Sequence, residues 1–209
     1  MAETIALFPL NIVAFPGEKI NLHIFEPRYK ELIRDCLAES GILGIPSYVK
    51  TQIDYGTTVR IEKVARTYED GRMDIVTWAE KIFQVMDFQN PYPEKLYAKG
   101  AVEYQDNIND SDASLQVEMI EKTKELLQMI NVISGVTIEY DANTFALAHK
   151  VGLSLEQEYD LLVKNKESDR QQYIVDHLNQ LLPTLKEVER LKEKIKSNGH
   201  FNNFGPIDF

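Results

Sequence analysis

Apolar residues in the first hundred positions come in short runs separated by Pro, Gly and charged residues. Ile5 to Phe8 and Ile20 to Phe25 are such runs, and their length and bounding residues predict strands. A third, "GILGIPSYV" from Gly41 to Val49, contains Pro46. Proline has no N–H for a sheet ladder, which predicts an edge position or a bulge there. The stretch "YGTTVRIEKVARTYEDGRMDIVTWAEKIFQVMDF" holds two alternating segments on either side of Asp70-Gly71, the pair a type I′ hairpin turn prefers. A further strand over Lys81 to Phe88 gives a meander, and a last one spans Leu96 to Tyr104. One helix interrupts this series. Pro27 suits a first helical position, Tyr29, Leu32, Ile33, Cys36 and Leu37 fall on one helical face, and Gly41 suits a terminator. Six or seven short strands with one early helix predict a small β-barrel or curled sheet.

The pattern changes at Gln105 to Ser114, a polar and acidic stretch suited to a linker, and the residues beyond it have helical spacing. Val117, Ile120, Leu127 and Ile130 predict one long amphipathic helix. Asp141 is placed to cap "ANTFALAHKV", which ends at Gly152. "SLEQ" (Ser154 to Gln157) and "SDRQ" (Ser168 to Gln171) both fit the capping box. Pro183 predicts a kink or a new helix start. The expected organisation is α+β: a β-rich unit over 1–105, a helical unit over 112–197 and a tail over 198–209. The tail "GHFNNFGPIDF" holds three phenylalanines that could fill a groove.

The chain has 209 residues, enough for a sizeable core, and a formal net charge of −10. Nucleic-acid binders draw most of their affinity from neutralising phosphates, so no nucleic-acid partner is expected. A single cysteine, Cys36, leaves no intrachain disulfide and no Cys-based zinc cluster; it reads as a small buried apolar residue. His23, His149, His177 and His200 are far apart and include no helical metal pair. No metal and no cofactor are expected. His149, ahead of Gly152, reads as a cation at a helix C-terminus. No phosphate loop and no Gly-x-Ser-x-Gly elbow occurs. No apolar run approaches the ~18 residues that suggest a membrane span, and the start "MAETIALFPL" lacks a signal-peptide pattern. No membrane association and a cytoplasmic location are expected.

"FPLNIVAFPGEKINLHIFEPRYKELI" (Phe8 to Ile33) resembles the N-terminal substrate-binding domain of the ATP-dependent Lon proteases, also found in stand-alone bacterial proteins and within cereblon. The similarity extends through the meander and into "KVGLSLEQEYDLL". The chain departs from the family pattern at Asn21, where a proline is common, and at Ala79 and Ile82 before Phe83. The resemblance implies a PUA-like β pseudo-barrel followed by a helical bundle. It also implies a non-enzymatic module that holds unfolded or extended polypeptide, without the ATPase and peptidase modules of a full Lon. Such binding needs exposed apolar surface or a free sheet edge, and a cleft between the two halves would serve. Phe15, Arg28, Tyr29 and Trp78 are the candidate polypeptide-binding residues; no catalytic residue is assigned. Two alternatives stand beside this reading. One is a small-molecule-binding or catalytic protein with a pocket at the barrel mouth. The other is an adaptor docking on a separate protease or ATPase.

Overall fold

The computed structural model describes residues 2–49, 53–130 and 138–198. The chain is α+β, a β pseudo-barrel with one early helix followed by a helical half. The first half contains β1 (Glu3–Leu7), β2 (Lys19–Ile24), α1 (Pro27–Ala38), β3 (Ile42–Pro46), β4 (Tyr55–Thr67), β5 (Met73–Val85) and β6 (Ala98–Tyr104). The sheet order is β2-β5-β4-β3-β1-β6, and β6 returns to pair with β5. Only the β1–β3 pairing is parallel among these strands.

The two strands expected around Trp78 and Lys81 are one continuous strand, β5, because no Gly or Pro interrupts residues 73 to 85. Register shifts along the β4–β5 pair at Thr57/Val59, Ile61/Lys63 and Val64/Arg66 increase the local twist of the ribbon. As a result β5 pairs with β2 through Met73 to Trp78 and with β6 through Phe83 to Val85. The hairpin turn is not type I′, which needs positive φ at both central residues. Gly71 alone there is left-handed (φ 77°), and its N–H donates to the Tyr68 carbonyl at 2.9 Å. This is a type I turn followed by a glycine bulge. Pro46 is also not on an edge: β3 lies between β4 and β1. The Pro46 carbonyl accepts from Leu10 N–H at 3.2 Å, so its missing donor faces the side where β1 has already ended at Leu7.

Helix α1 starts at Pro27 without a side-chain cap and buries Tyr29, Leu32, Ile33 and Cys36. Leu37, expected on that face, is exposed. Burial pushes the Cys36 thiol up to about 12, as suits an inert core residue.

The second half holds α2 (Ala113–Met129), α3 (Thr144–Ala148), α4 (Leu155–Leu162) and α5 (Glu167–Asn198). In α2 the buried stripe runs through Met119, Ile120, Thr123, Leu126 and Leu127, which leaves Val117 and Ile130 exposed. Asn143, not Asp141, caps the short α3, its side chain accepting from Ala146 N–H at 3.0 Å. The Ser154–Gln157 capping box is present. Ser168 lies inside α5 instead of capping it; Asp110 accepts from its N–H at 3.0 Å and its hydroxyl at 2.9 Å. Helix α5 runs unbroken through Pro183. Of the aromatic tail, residues 199–209 and with them His200 lie outside the described residues.

Residues 105–112 form a strap. Ile108 N–H donates to the Asn165 carbonyl at 2.8 Å and its carbonyl accepts from Glu167 N–H at 2.9 Å, while Gln105 reaches the Val163 carbonyl and the Asn165 side chain. Under the strap Arg170 is 1% exposed and Glu167 4%. Arg170 donates to Glu167 (3.0 Å), the Lys164 carbonyl (2.6 Å) and Asn107 (2.7 Å). Glu167 also accepts from the Thr144 N–H and hydroxyl, both at 2.8 Å. One buried ion pair thus joins strap, α3 and α5. Arg170→Ala would strand the Glu167 charge and is expected to cost about 3–5 kcal/mol. Urea unfolding checks this; a loss under about 1 kcal/mol would mean the network contributes little.

A second link joins the two halves. His149 lies 2.7 Å from Glu158 and 3.3 Å from Glu18, the residue just before β2. Its hydrogen bond to Glu18, opposed by burial and aided by Glu158, raises its pKa to about 9. Because the folded value exceeds the ordinary 6.5, the stabilisation is complete below pH 6.5 and fades as pH rises through about 9. The stability advantage over His149→Gln is therefore expected to shrink between pH 6.5 and 10 in pH-resolved urea titrations. A constant difference across that range would contradict the assignment.

Candidate functional site

The sequence of β2, Lys-Ile-Asn-Leu-His-Ile, alternates polar and apolar residues. Ile20 and Leu22 pack against the barrel core and Ile24 is fully buried, so Lys19, Asn21 and His23 face solvent. The backbone alternates as well. The Glu18 carbonyl accepts from Ala79 N–H at 2.8 Å, and the Ile20 carbonyl accepts from the Thr77 hydroxyl at 3.0 Å. Both therefore point at β5, and the N–H and C=O groups of Lys19, Asn21 and His23 point the other way. Among the described residues, strand β2 pairs only with β5. No hydrogen bond from another described residue reaches those outward groups, leaving a free sheet edge.

Aromatic residues stand at both ends of this edge. Trp78, directly opposite Lys19 in the register, is 42% exposed. The Lys19 ammonium sits 5.4 Å from its ring centroid. Glu62 accepts from the Trp78 indole N–H at 3.2 Å and pairs with Lys19 at 3.4 Å. At the other end Phe25 is 58% exposed, its ring 6.1 Å from that of His23. His23 lies 2.6 Å from Asp74, which also accepts from the Tyr68 hydroxyl at 2.8 Å. The His23 and Tyr68 bonds, in that order, hold the Asp74 carboxyl below the usual range.

Of the four candidates, Trp78 is exposed on the sheet face next to this edge, one strand in, on β5. Phe15 is 1% exposed and stacks on Phe145 at 5.4 Å. With Val13 and Ile82 it carries the barrel into the core of the helical half. Phe15 therefore offers no surface to a ligand, and beside it a cleft of about 420 Å³ between the two halves is lined by Pro16, Glu18, Phe145 and His149 among others. Tyr29 is buried with its ring 3.9 Å from that of Phe8. Arg28 covers Tyr29 at 4.4 Å and pairs with Glu26 at 2.8 Å, which makes it the lid of a core residue. Lys19, Asn21, His23 and Phe25, which make up this edge, are not among the four candidates. The alternation of β2 was visible in the sequence, but which strand would be left without a second neighbour was not.

The barrel interior is filled. Leu7, Leu43, Ile45, Val59 and Phe83 are fully buried, and a Cβ on Gly44 would lie 2.7 Å from Leu7 and 2.9 Å from Phe83. The described barrel interior is thus occupied by side chains. A cleft of about 300 Å³ beside α1 is lined by Asp35, Tyr97 and Lys99 among others. Asp35 is already held there by Lys95 at 2.6 Å and Tyr97 at 2.7 Å. Among the described residues no group of three His, Cys, Asp or Glu side chains is placed to hold a metal ion. None of the described helices is long and apolar enough to cross a membrane.

The family described as "ATP-dependent protease La (LON) substrate-binding domain" matches residues 4–192. The fold is similar to the crystal structure of a Lon N-terminal domain protein from Xanthomonas campestris. The TM-score is 0.65 at 24% identity, covering 83% of this chain and 98% of that one. It is also similar to the N-terminal domain of the Mycobacterium avium complex Lon protease, with TM-score 0.62 at 15% identity, covering 86% of this chain and 100% of that one. No curated protein matches the chain.

Proposed function

Since the chain belongs to the LON substrate-binding domain family, we propose that it is a non-enzymatic module that holds unfolded or extended polypeptide by adding it as a strand to β2. The observation that carries this reading is the row of unpartnered backbone groups on Lys19, Asn21 and His23. An extended segment lying along that row gains main-chain hydrogen bonds whatever its sequence, as suits a module that meets many unfolded chains. A folded protein keeps its own backbone groups paired and has little to offer the edge. Phe25 supplies apolar contact at one end, since aromatic rings bury large area for few rotatable bonds, while Trp78 stands one strand in, on β5 behind Lys19. The rigid partner, β5, holds the edge extended in advance, so the protein side loses little conformational freedom on binding.

Asn21→Pro separates this site from the rest of the surface. It removes an outward N–H and places a ring at the edge, while the pairing of Ile20 and Leu22 with β5 stays available. Binding of a reduced, carboxamidomethylated unfolded protein, with its folded form as control, is expected to weaken at least about tenfold, one lost anchor of about 1.4 kcal/mol. Circular dichroism and the urea midpoint should change little. Undiminished binding by Asn21→Pro would place the polypeptide elsewhere.

A further inference from the structure

Resting on that strand addition, we infer that the β2 edge selects extended segments bearing carboxylates at alternate positions. Strand β2 itself contains no acidic residue. The solvent-facing row that an added strand would meet first is Lys19, Asn21 and His23. A directly opposed side chain sits about 5 Å away across a strand pair. The carboxylates that compensate this row lie further in: Asp74, bonded to His23, is on β5, and Glu62, paired with Lys19, is on β4. With strands about 4.8 Å apart, an added chain would lie beside β2, one strand further from Asp74 and two from Glu62 than from the β2 row. Coulomb attraction falls with distance, so Lys19 is the first charged residue such a chain meets.

The surroundings of the β2 C-terminus point the same way. The turn between β4 and β5 begins where Ile24 pairs with Met73. The Lys30 ammonium and the Arg34 guanidinium both approach Gly71 in that turn, and Arg66 stacks over Tyr68 at 4.5 Å. Among the described residues none of Lys30, Arg34 and Arg66 has a carboxylate within ion-pair distance. Of the three acids there, Asp70 is taken by Arg72 at 2.6 Å and Asp74 by His23 and Tyr68. Among the described residues, Glu69 is the one acid at this tip with no cation at ion-pair distance. A second copy of β2 laid antiparallel would present Asn21 to Asn21 and Lys19 to His23, with no carboxylate for either. The edge is thus better matched to an acidic segment than to itself.

The test uses three labelled peptides of one alternating apolar host, with Glu, Gln or Lys at the outward positions, followed by fluorescence anisotropy. The Glu peptide is expected to bind roughly fivefold tighter than the Gln peptide at low salt, and the Lys peptide weakest. The three should converge near about 1 M salt, where the Debye length is about 3 Å. The chain's net charge of −10 repels any acidic ligand at long range, so a Glu preference isolates the local contact. Lys19→Glu should invert the order, and Lys19→Gln should narrow the spread without a change of charge sign at the edge. Equal binding of all three peptides would overturn the selectivity and leave strand addition standing. Failure of all three, together with failure of the unfolded protein, would overturn both.

Discussion

Backbone donors and acceptors in a sheet must find partners or face water, and in this fold β5 decides which strand is left facing water. Its thirteen residues serve two neighbours on one side, β2 along the first half and β6 along the second. The β5–β6 pairing closes the barrel, and β2 is left with a single partner. An exposed strand edge invites pairing with other chains. Here the exposed face of that edge is polar, flanked by Trp78 and Phe25, and set on a strand whose other face is anchored in the core by Ile20, Leu22 and Ile24. The edge is rigid and open at once.

The helical half supports this arrangement from outside the barrel. Phe15 crosses from the segment before β2 into the helical core, where it meets Phe145. Arg170 passes 4.4 Å from the same Phe145 ring while holding Glu167 and the strap. Glu18, which receives His149, also accepts from Phe15 N–H at 3.1 Å. The entry to β2 is therefore fixed by apolar packing and by a titrating hydrogen bond a few residues before the edge begins. The position of β2 depends on both halves, although its chemistry belongs to the first.

Much of the fold was legible because it is set by local pattern. The strand–Pro27–helix transition, the Asp70-Gly71 hairpin position and the Ser154–Gln157 cap all rest on residues within a few positions of one another. The errors arose where distant residues compete. Ser168 has the pattern of a cap, but Asp110, far away in sequence, performs that role for α5. Pro46 has the signature of an edge residue, yet it lies inside the sheet, between Gly56 on β4 and the segment that follows β1. The site suffered in the same way. Phe15 and Tyr29 are aromatic residues near prolines, and only the packing of two halves reveals that both are core. The exposure of Trp78 follows from its alternation with buried neighbours. The free edge at Lys19, Asn21 and His23 is a property of their backbone groups, and side-chain chemistry gives no sign of those.

The central claim is that the outward amides of β2 are free until a polypeptide pairs with them, and residue-resolved amide hydrogen exchange tests it most directly. In the free protein Lys19, Asn21 and His23 should exchange rapidly, while Ile20, Leu22 and Ile24, bonded to β5, are protected. Saturation with an unfolded polypeptide should slow exchange at the first three and leave the others as they were. Rapid exchange at Lys19, Asn21 and His23 in the saturated complex would contradict the account.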